Sequence, residues 1–358
     1  MMLRVLPHFA GFIGPALLVL GATLGGWWTL LPVAFVFGFL PVLDDRVGRG
    51  DENPAGHSRG ARFLWDLPLW LWTPAQLGLI AFVLRQVTLG EPKWFEAAGL
   101  TISLGVVNGS MGIVIAHELM HRAGRFPRAL AEILMASLSY AHFCIEHVHG
   151  HHRNVATPRD PATSRQGETV FAFLVRSIVG GAVSAWRLEA NRVARTKTPA
   201  WSPGDARLRM PIVTALMYAL VGAAFGISGA VLFFAQGFVA VVLLEITNYL
   251  EHYGLERQEV GAGRYETVGP QHSWNSSYLV SNAYLFNLAR HSDHHFLASR
   301  PYEMLRHWDE TEAPQLPAGY PAMLLAALVP PLWFRIMDPR VAAWRRTEAA
   351  RTATVARR

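Results

Sequence analysis

Three features of the sequence predict an all-α integral membrane protein, with six transmembrane helices in three hairpins and a histidine-rich site on the cytoplasmic face. Hydrophobic residues make up 51% of the 358-residue chain and charged residues only 16%, against about 25% charged in ordinary soluble domains. Apolar runs close to the roughly 20 residues that a helix needs to cross a hydrocarbon core recur in pairs. Lys and Arg are concentrated in the loops on one side of those runs.

The first hairpin joins residues 8–24 to 27–43 through Gly25 and Gly26. Pro32 and Pro41 fall inside its second arm, where a membrane helix tolerates them better than a soluble one does. Residues 66–86 and 95–116 form the second pair, separated by LGEPK, and 211–228 with 229–250 form the third, broken near Gly226 and Gly229. The run 127–146 is helical in pattern but carries Arg128 and Glu132, so a partly buried or interfacial helix is expected there. No small-residue cleavage site follows the first run, which is therefore expected to remain as an anchor. The chain reads as a single integral-membrane domain over 1–358, with a basic, solvated tail at 340–358.

Orientation follows from the basic residues. Loop 44–65 holds Arg46, Arg49, Arg59 and Arg62, loop 122–210 is rich in arginine, and the tail is basic too. The opposite connections offer only Lys93. Both termini and the large loops are thus expected in the cytoplasm, with the protein multi-pass in the inner membrane. The net charge of +6 accompanies no nucleic-acid-binding motif, so nucleic acid is not an expected partner. Cys144, the single cysteine, excludes an internal disulfide framework and any cysteine-based metal site.

The histidines fall at the ends of these runs. HELMHR places His117 and His121 at i and i+4, on one helical face. EHVHGHH supplies His147, His151 and His152, NYLEHYGL supplies His252, and RHSDHH supplies His291, His294 and His295. Lone histidines are more often structural, but separate clusters converging on one face point to a metal centre. A zinc ion closes its shell with four ligands, so nine imidazoles imply two ions. Imidazole suits iron, copper, nickel and zinc, and open positions on redox-active iron suit oxygen chemistry. Glu118, Glu146, Glu251 and Asp293 flank the histidines and are candidates to accept the second ring N–H of a ligand. HELMH also matches the HExxH pattern of zinc peptidases, but that reading leaves seven clustered histidines without a use. A metal transporter would need ionisable residues along a path at mid-membrane, and the runs before residue 108 have essentially none at their centres.

With HELMHR, EHVHGHHRNVATPRDPATS, NYLEHYGLER, HSWNSSYLVSN and LARHSDHHF, the chain resembles the membrane-bound alkane monooxygenases, within the integral-membrane desaturase and hydroxylase group, over residues of about 30–340. The resemblance implies a non-haem di-iron centre that uses O2 to hydroxylate the terminal carbon of an n-alkane, with His117, His121, His147, His151, His152, His252, His291, His294 and His295 as ligands. It leaves out His142, His149 and His272. Ala289 stands where the family often has Gln, and Arg122 where it often has Lys; neither removes a ligand. A desaturase, or a hydroxylase of another aliphatic, fatty acyl or aromatic methyl substrate, is the alternative within the same group.

The electrons must come from outside, because a rubredoxin needs four cysteines. The resemblance implies a separate rubredoxin, reduced by an NAD(P)H-dependent reductase, and Arg122, Arg125, Arg128, Arg153, Arg159 and Arg165 could attract an acidic donor. In the second run, VAFVFGFLPVLDD, Asp44 and Asp45 mark the end expected to approach the iron site. In the family, the position two before the glycine can carry a bulky aromatic that limits alkane length. Here that position is Val36, which leaves the expected substrate channel open.

Overall fold

The computed structural model describes residues 5–54 and 62–355. Arg59 and the last three residues of the basic tail, 356–358, lie outside the described residues. Six helices are long and apolar enough to cross a membrane: α1 (Leu6–Leu24), α2 (Gly26–Val47), α3 (Arg62–Leu89), α4 (Trp94–His121), α6 (Val170–Thr196) and α7 (Ala206–His252). Helix α5 (Arg125–Ala136) lies between α4 and α6. Three shorter segments follow α7: α8 (Leu279–Tyr284), α9 (His291–Phe296) and α10 (Tyr320–Ala327). Helix α11 (Pro330–Val355) closes the described chain. A small antiparallel pair, Glu259–Gly261 with Arg264–Tyr265, interrupts this all-α arrangement.

The six helices are not the six runs read from the sequence. Both arms of the third expected pair fall within α7, where Gly226 takes φ 70°, a left-handed conformation that costs glycine little. The chain doubles back there and brings the rings of Tyr218 and Phe233 within 5.0 Å, whereas a straight helix would hold them about 22 Å apart. The sixth qualifying helix, α6, lies in what the sequence reading leaves as loop, because Arg176, Arg187, Arg192 and Arg195 interrupt its apolar residues. The helical pattern expected over 127–146 also breaks, α5 ending at Ala136. The tail departs from expectation too. Its residues to 355 belong to α11, Val341 and Trp344 are buried, and the Trp344 indole donates to the Gln271 carbonyl at 3.1 Å. A tail that packs a tryptophan is not merely a solvated end.

Buried amides tie the helices together. Gln76 on α3 accepts from the Trp72 indole at 2.9 Å and donates to Ser137 Oγ at 2.8 Å, just past α5. Gln236 on α7 accepts from Asn108 of α4 at 2.8 Å and donates to the Ser137 carbonyl at 3.0 Å. An unmet amide in such surroundings costs several kcal/mol at roughly the scale of its transfer from water. These bonds therefore fix where the segment after α5 sits, and that segment leads directly into the histidines.

Candidate metal centre

Three π turns, which widen a helix by one residue and are frequent at functional sites, shape the region. One covers Phe35–Phe39 in α2, one Asn108–Gly112 in α4, and one Glu146–His151. The third carries His147 and His151, and His152 follows it directly. Helix α4 ends with His117 and His121 one turn apart, α7 ends at His252, and α9 holds His291, His294 and His295.

These histidines form two groups. His117, His121, His147, His152 and His294 bring one nitrogen each to within 4.8 Å of all the others, and His151, His252, His291 and His295 do the same. Metal–imidazole bonds of about 2.0–2.1 Å place opposed ligand atoms about 4.2 Å apart, so the spacing suits an ion in each group. The nitrogens also face one another. His152 Nε2 lies 3.0 Å from both His147 Nε2 and His294 Nε2, and His151 Nε2 lies 3.2 Å from His295 Nε2. His117 Nε2 and His121 Nε2 are buried with no hydrogen-bond partner. A ring nitrogen carries at most one proton, so this convergence crowds lone pairs that a cation would satisfy.

Electrostatics favour the ligand form. Burial, then the neighbouring imidazoles, hold His147, His152, His291, His294 and His295 well below the ordinary imidazole value. They are neutral and keep a free lone pair. His151 differs: burial pulls it down, but Asp160, with Glu146 and Glu251, offsets this and the net shift is upward. Asp160 Oδ2 sits 2.8 Å from His151 Nδ1, the carboxylate–histidine contact that orients a metal ligand. Asp160 is held in turn by Thr163 Oγ1 at 2.6 Å and the Ala162 N–H at 3.0 Å. Sequence reasoning missed Asp160, although it lies inside the RDPATS stretch that follows the histidines.

The four flanking acids divide between the expected contact and other uses. Glu118 accepts from Arg122 Nε at 2.6 Å, so its carboxylate is committed to an ion pair. Asp293 is the hub of the loop after α9, binding Arg300 at 2.5 Å, the Arg306 N–H at 2.9 Å and the Trp308 indole at 3.0 Å. Glu146 lines a small pocket with Tyr140, Glu245 and Asn248, and burial raises its carboxyl above the usual range. Glu251 alone stays against the histidines. Its Oε2 lies 3.2 Å from His291 Nε2, the nitrogen directed at the four-histidine group, and its Oε1 accepts from Tyr320 at 2.9 Å. His142, His149 and His272 lie outside both groups.

Arg122 is a correction among the arginines. It is buried and faces Glu118 at 2.6 Å, Asp66 at 3.3 Å and Glu303 at 3.5 Å, so it ties the end of α4 to α3 and to the segment after α9. A guanidinium enclosed by three carboxylates is not free to meet another protein. Arg125, Arg128, Arg153, Arg159 and Arg165 are exposed. Arg122→Gln should destabilise the detergent-solubilised protein by about 3–5 kcal/mol, the usual cost of breaking a buried pair, with Arg128→Gln close to neutral. Thermal unfolding midpoints of the two variants measure the difference.

An enclosed apolar cavity adjoins the centre. Val36, buried at 3% exposure, lines it with Ser110, Val114, Leu243, Tyr284 and Tyr320. Val114 lies one turn before His117 on α4, and Tyr320 reaches the four-histidine group through Glu251. Asp44 lies elsewhere, bonded to the N–H of Ser281 at 2.9 Å and to its hydroxyl, so it anchors α2 to α8.

Apolar helices, an all-imidazole pair of sites and an apolar cavity beside them define the class of histidine-rich membrane oxygenases and desaturases, and the fatty acid desaturase family model matches residues 92–326. Alkane 1-monooxygenase 2 of Pseudomonas aeruginosa is 40% identical over 343 residues, covering 91% of this chain and 90% of its own. Alkane 1-monooxygenase 1 of the same species is 41% identical, covering 89% and 84%, and alkane 1-monooxygenase 2 of Alcanivorax borkumensis is 38% identical, covering 89% and 84%. The chain belongs to the alkane 1-monooxygenase family.

Proposed function

We propose that this protein uses O2 and two electrons to hydroxylate the terminal carbon of n-alkanes, at two iron ions held by the nine clustered histidines. The observation that carries the proposal is the pair of imidazole groups beside an apolar cavity. In the balanced reaction one oxygen atom enters the C–H bond and the other leaves as water, consuming two electrons and two protons. The iron pair, when bound, supplies the oxidising power that no side chain has. The protein's own part is to hold the imidazoles neutral and fixed, orient His151 through Asp160, exclude water and align the alkane. An alkane has no polar handle, and each CH2 buried is worth about 0.8 kcal/mol, most of which lipid already offers. Chain-length choice is therefore assigned to the shape of the cavity around Val36.

The same reading treats the chain as one membrane domain, its spans paired as three hairpins in the cell's inner membrane. The arginine bias supports cytoplasmic termini and a cytoplasmic metal centre. Rubredoxin, reduced by an NAD(P)H-dependent reductase, is the proposed donor, docking near Arg125, Arg128, Arg153, Arg159 and Arg165. Charge reversal at Arg153 and Arg159 should slow reduction, and the wild-type rate should fall with salt as screening shortens to about 8 Å; stopped-flow reduction across a salt series measures both. The function itself is tested by supplying membranes with an n-alkane, rubredoxin, reductase and NADH. A 1-alkanol is the expected product, and an alkene in its place would make the protein a desaturase.

A further inference from the structure

We infer that α6 does not cross the membrane but lies along its surface on the histidine face, with an apolar stripe set into the lipid at the boundary between headgroups and acyl chains. The inference needs only the placement of the spans and is independent of substrate and metal.

Connectivity is the first argument. His121 ends α4 and His252 ends α7, and their groups meet, the rings of His152 and His295 stacking at 4.4 Å. Both helix ends therefore open on one face. The chain reverses at Gly226, so Ala206 and His252 also lie on that face. A crossing by α6 would place its start or its end on the other side, and the histidines of Glu146–His151 could not then meet His252.

Contacts along α6 agree. Arg176 binds Glu168 at 2.7 Å and the Pro161 carbonyl at 2.9 Å, in the loop after the histidines. Ser177 donates to Glu245, two turns before His252, and Glu189 accepts from the Ala206 N–H at 2.7 Å, where α7 begins. Points twelve residues apart on α6 thus touch the two ends of α7 that share a face. The uncharged stretch, 177–186, is ten residues, about 15 Å long and half of a hydrocarbon core of about 30 Å.

The surface chemistry names the partner. Phe171, Val175, Val179, Val183 and Trp186 form an exposed stripe, while Phe173, Ser177 and Gly181 are buried on the opposite side. Near the end of the stripe the rings of Trp186 and Trp201 lie 5.9 Å apart, and the Arg207 guanidinium covers both, 5.8 and 5.2 Å from their centroids. Both indoles are exposed. Tryptophan with arginine is the chemistry of the headgroup level, and exposed Arg187, Arg195 and Lys197 favour anionic lipid. An apolar stripe bordered by basic residues is the pattern of a helix lying in the interface plane.

Single cysteines at Gln166, Lys197 and Leu89 in a Cys144→Ala background test the placement, using a membrane-impermeant maleimide on sealed vesicles of both orientations. Gln166 and Lys197 should label from the same face, and Leu89, at the turn between α3 and α4, from the other. Labelling of Gln166 and Lys197 from opposite faces would overturn the inference. Nitroxides at Val175 and Val179 test the partner, and should collide readily with O2 and poorly with a water-soluble nickel chelate. Ready collision with the chelate would mean that the stripe faces water, and protection from both reagents that protein covers it; either result overturns the lipid assignment.

Discussion

His252→Ala should abolish hydroxylation as completely as His151→Ala, although its nearest histidine neighbour in the sequence, His272, lies outside both groups. The four-histidine group has no spare member: His252 Nε2 lies 3.4 Å from His291 Nε2, and its ring centroid 4.8 Å from that of His151. Changing a group that only supports a metal ligand already costs about 10–100-fold. Removing a ligand from the smaller group should therefore cost more than about 100-fold in turnover and leave that ion weakly held. His272→Ala, outside the groups, should keep its iron. Product formation and bound iron, measured on the same preparations, separate these outcomes. Near-normal turnover and iron in the His252 variant would remove it from the ligand set.

Val36→Trp should shorten the longest alkane accepted. The wild-type valine is buried in the π turn of α2 and lines the cavity beside Phe37 and Tyr320. An indole there would fill space that a long chain now uses, and overpacking typically costs about 1–3 kcal/mol. That corresponds to a loss of about 5- to 150-fold, expected only for chains that reach past residue 36. The wild type should accept alkanes longer than about ten carbons, because valine at position 36 leaves the cavity open where an indole would overfill it. A competing mixture of n-alkanes, with products resolved by length, gives the comparison. An unchanged profile in a folded, iron-loaded variant would place Val36 outside the path.

The two histidine groups were legible in the sequence because metal chemistry restricts both residue type and spacing. His117 and His121 one turn apart, and His291 and His294 three residues apart, need no tertiary information. His252 was legible only through its place at the end of an apolar run and through family resemblance. Of the acids flanking the histidines only Glu251 pairs with one, since an acid beside a histidine in sequence can point away from it in space. Glu118 turns to Arg122 and Asp293 to Arg300, while Asp160, nine residues after His151, makes the contact that was expected of its neighbours.

The membrane helices show a similar division. Long apolar runs identified α1 to α4 and both arms of α7. Helix α6 escaped because charged residues interrupt its apolar ones, among them Arg176 and the buried Glu189, which pair with loop and helix-end partners that sequence spacing does not reveal. The reading of 340–358 as a solvated tail leaves out one packed stripe within its described residues for a related reason. Its alanine and arginine content is that of a surface helix, yet Val341 and Trp344 supply one buried stripe.

The central claim is that the two imidazole groups hold two irons. Metal analysis with Mössbauer spectroscopy on iron-57-enriched protein, purified in detergent with activity retained, addresses it directly. Two irons per chain in all-nitrogen surroundings, falling in His252→Ala as turnover is lost, is the predicted result. One metal ion per chain, or full activity with zinc alone, would contradict it.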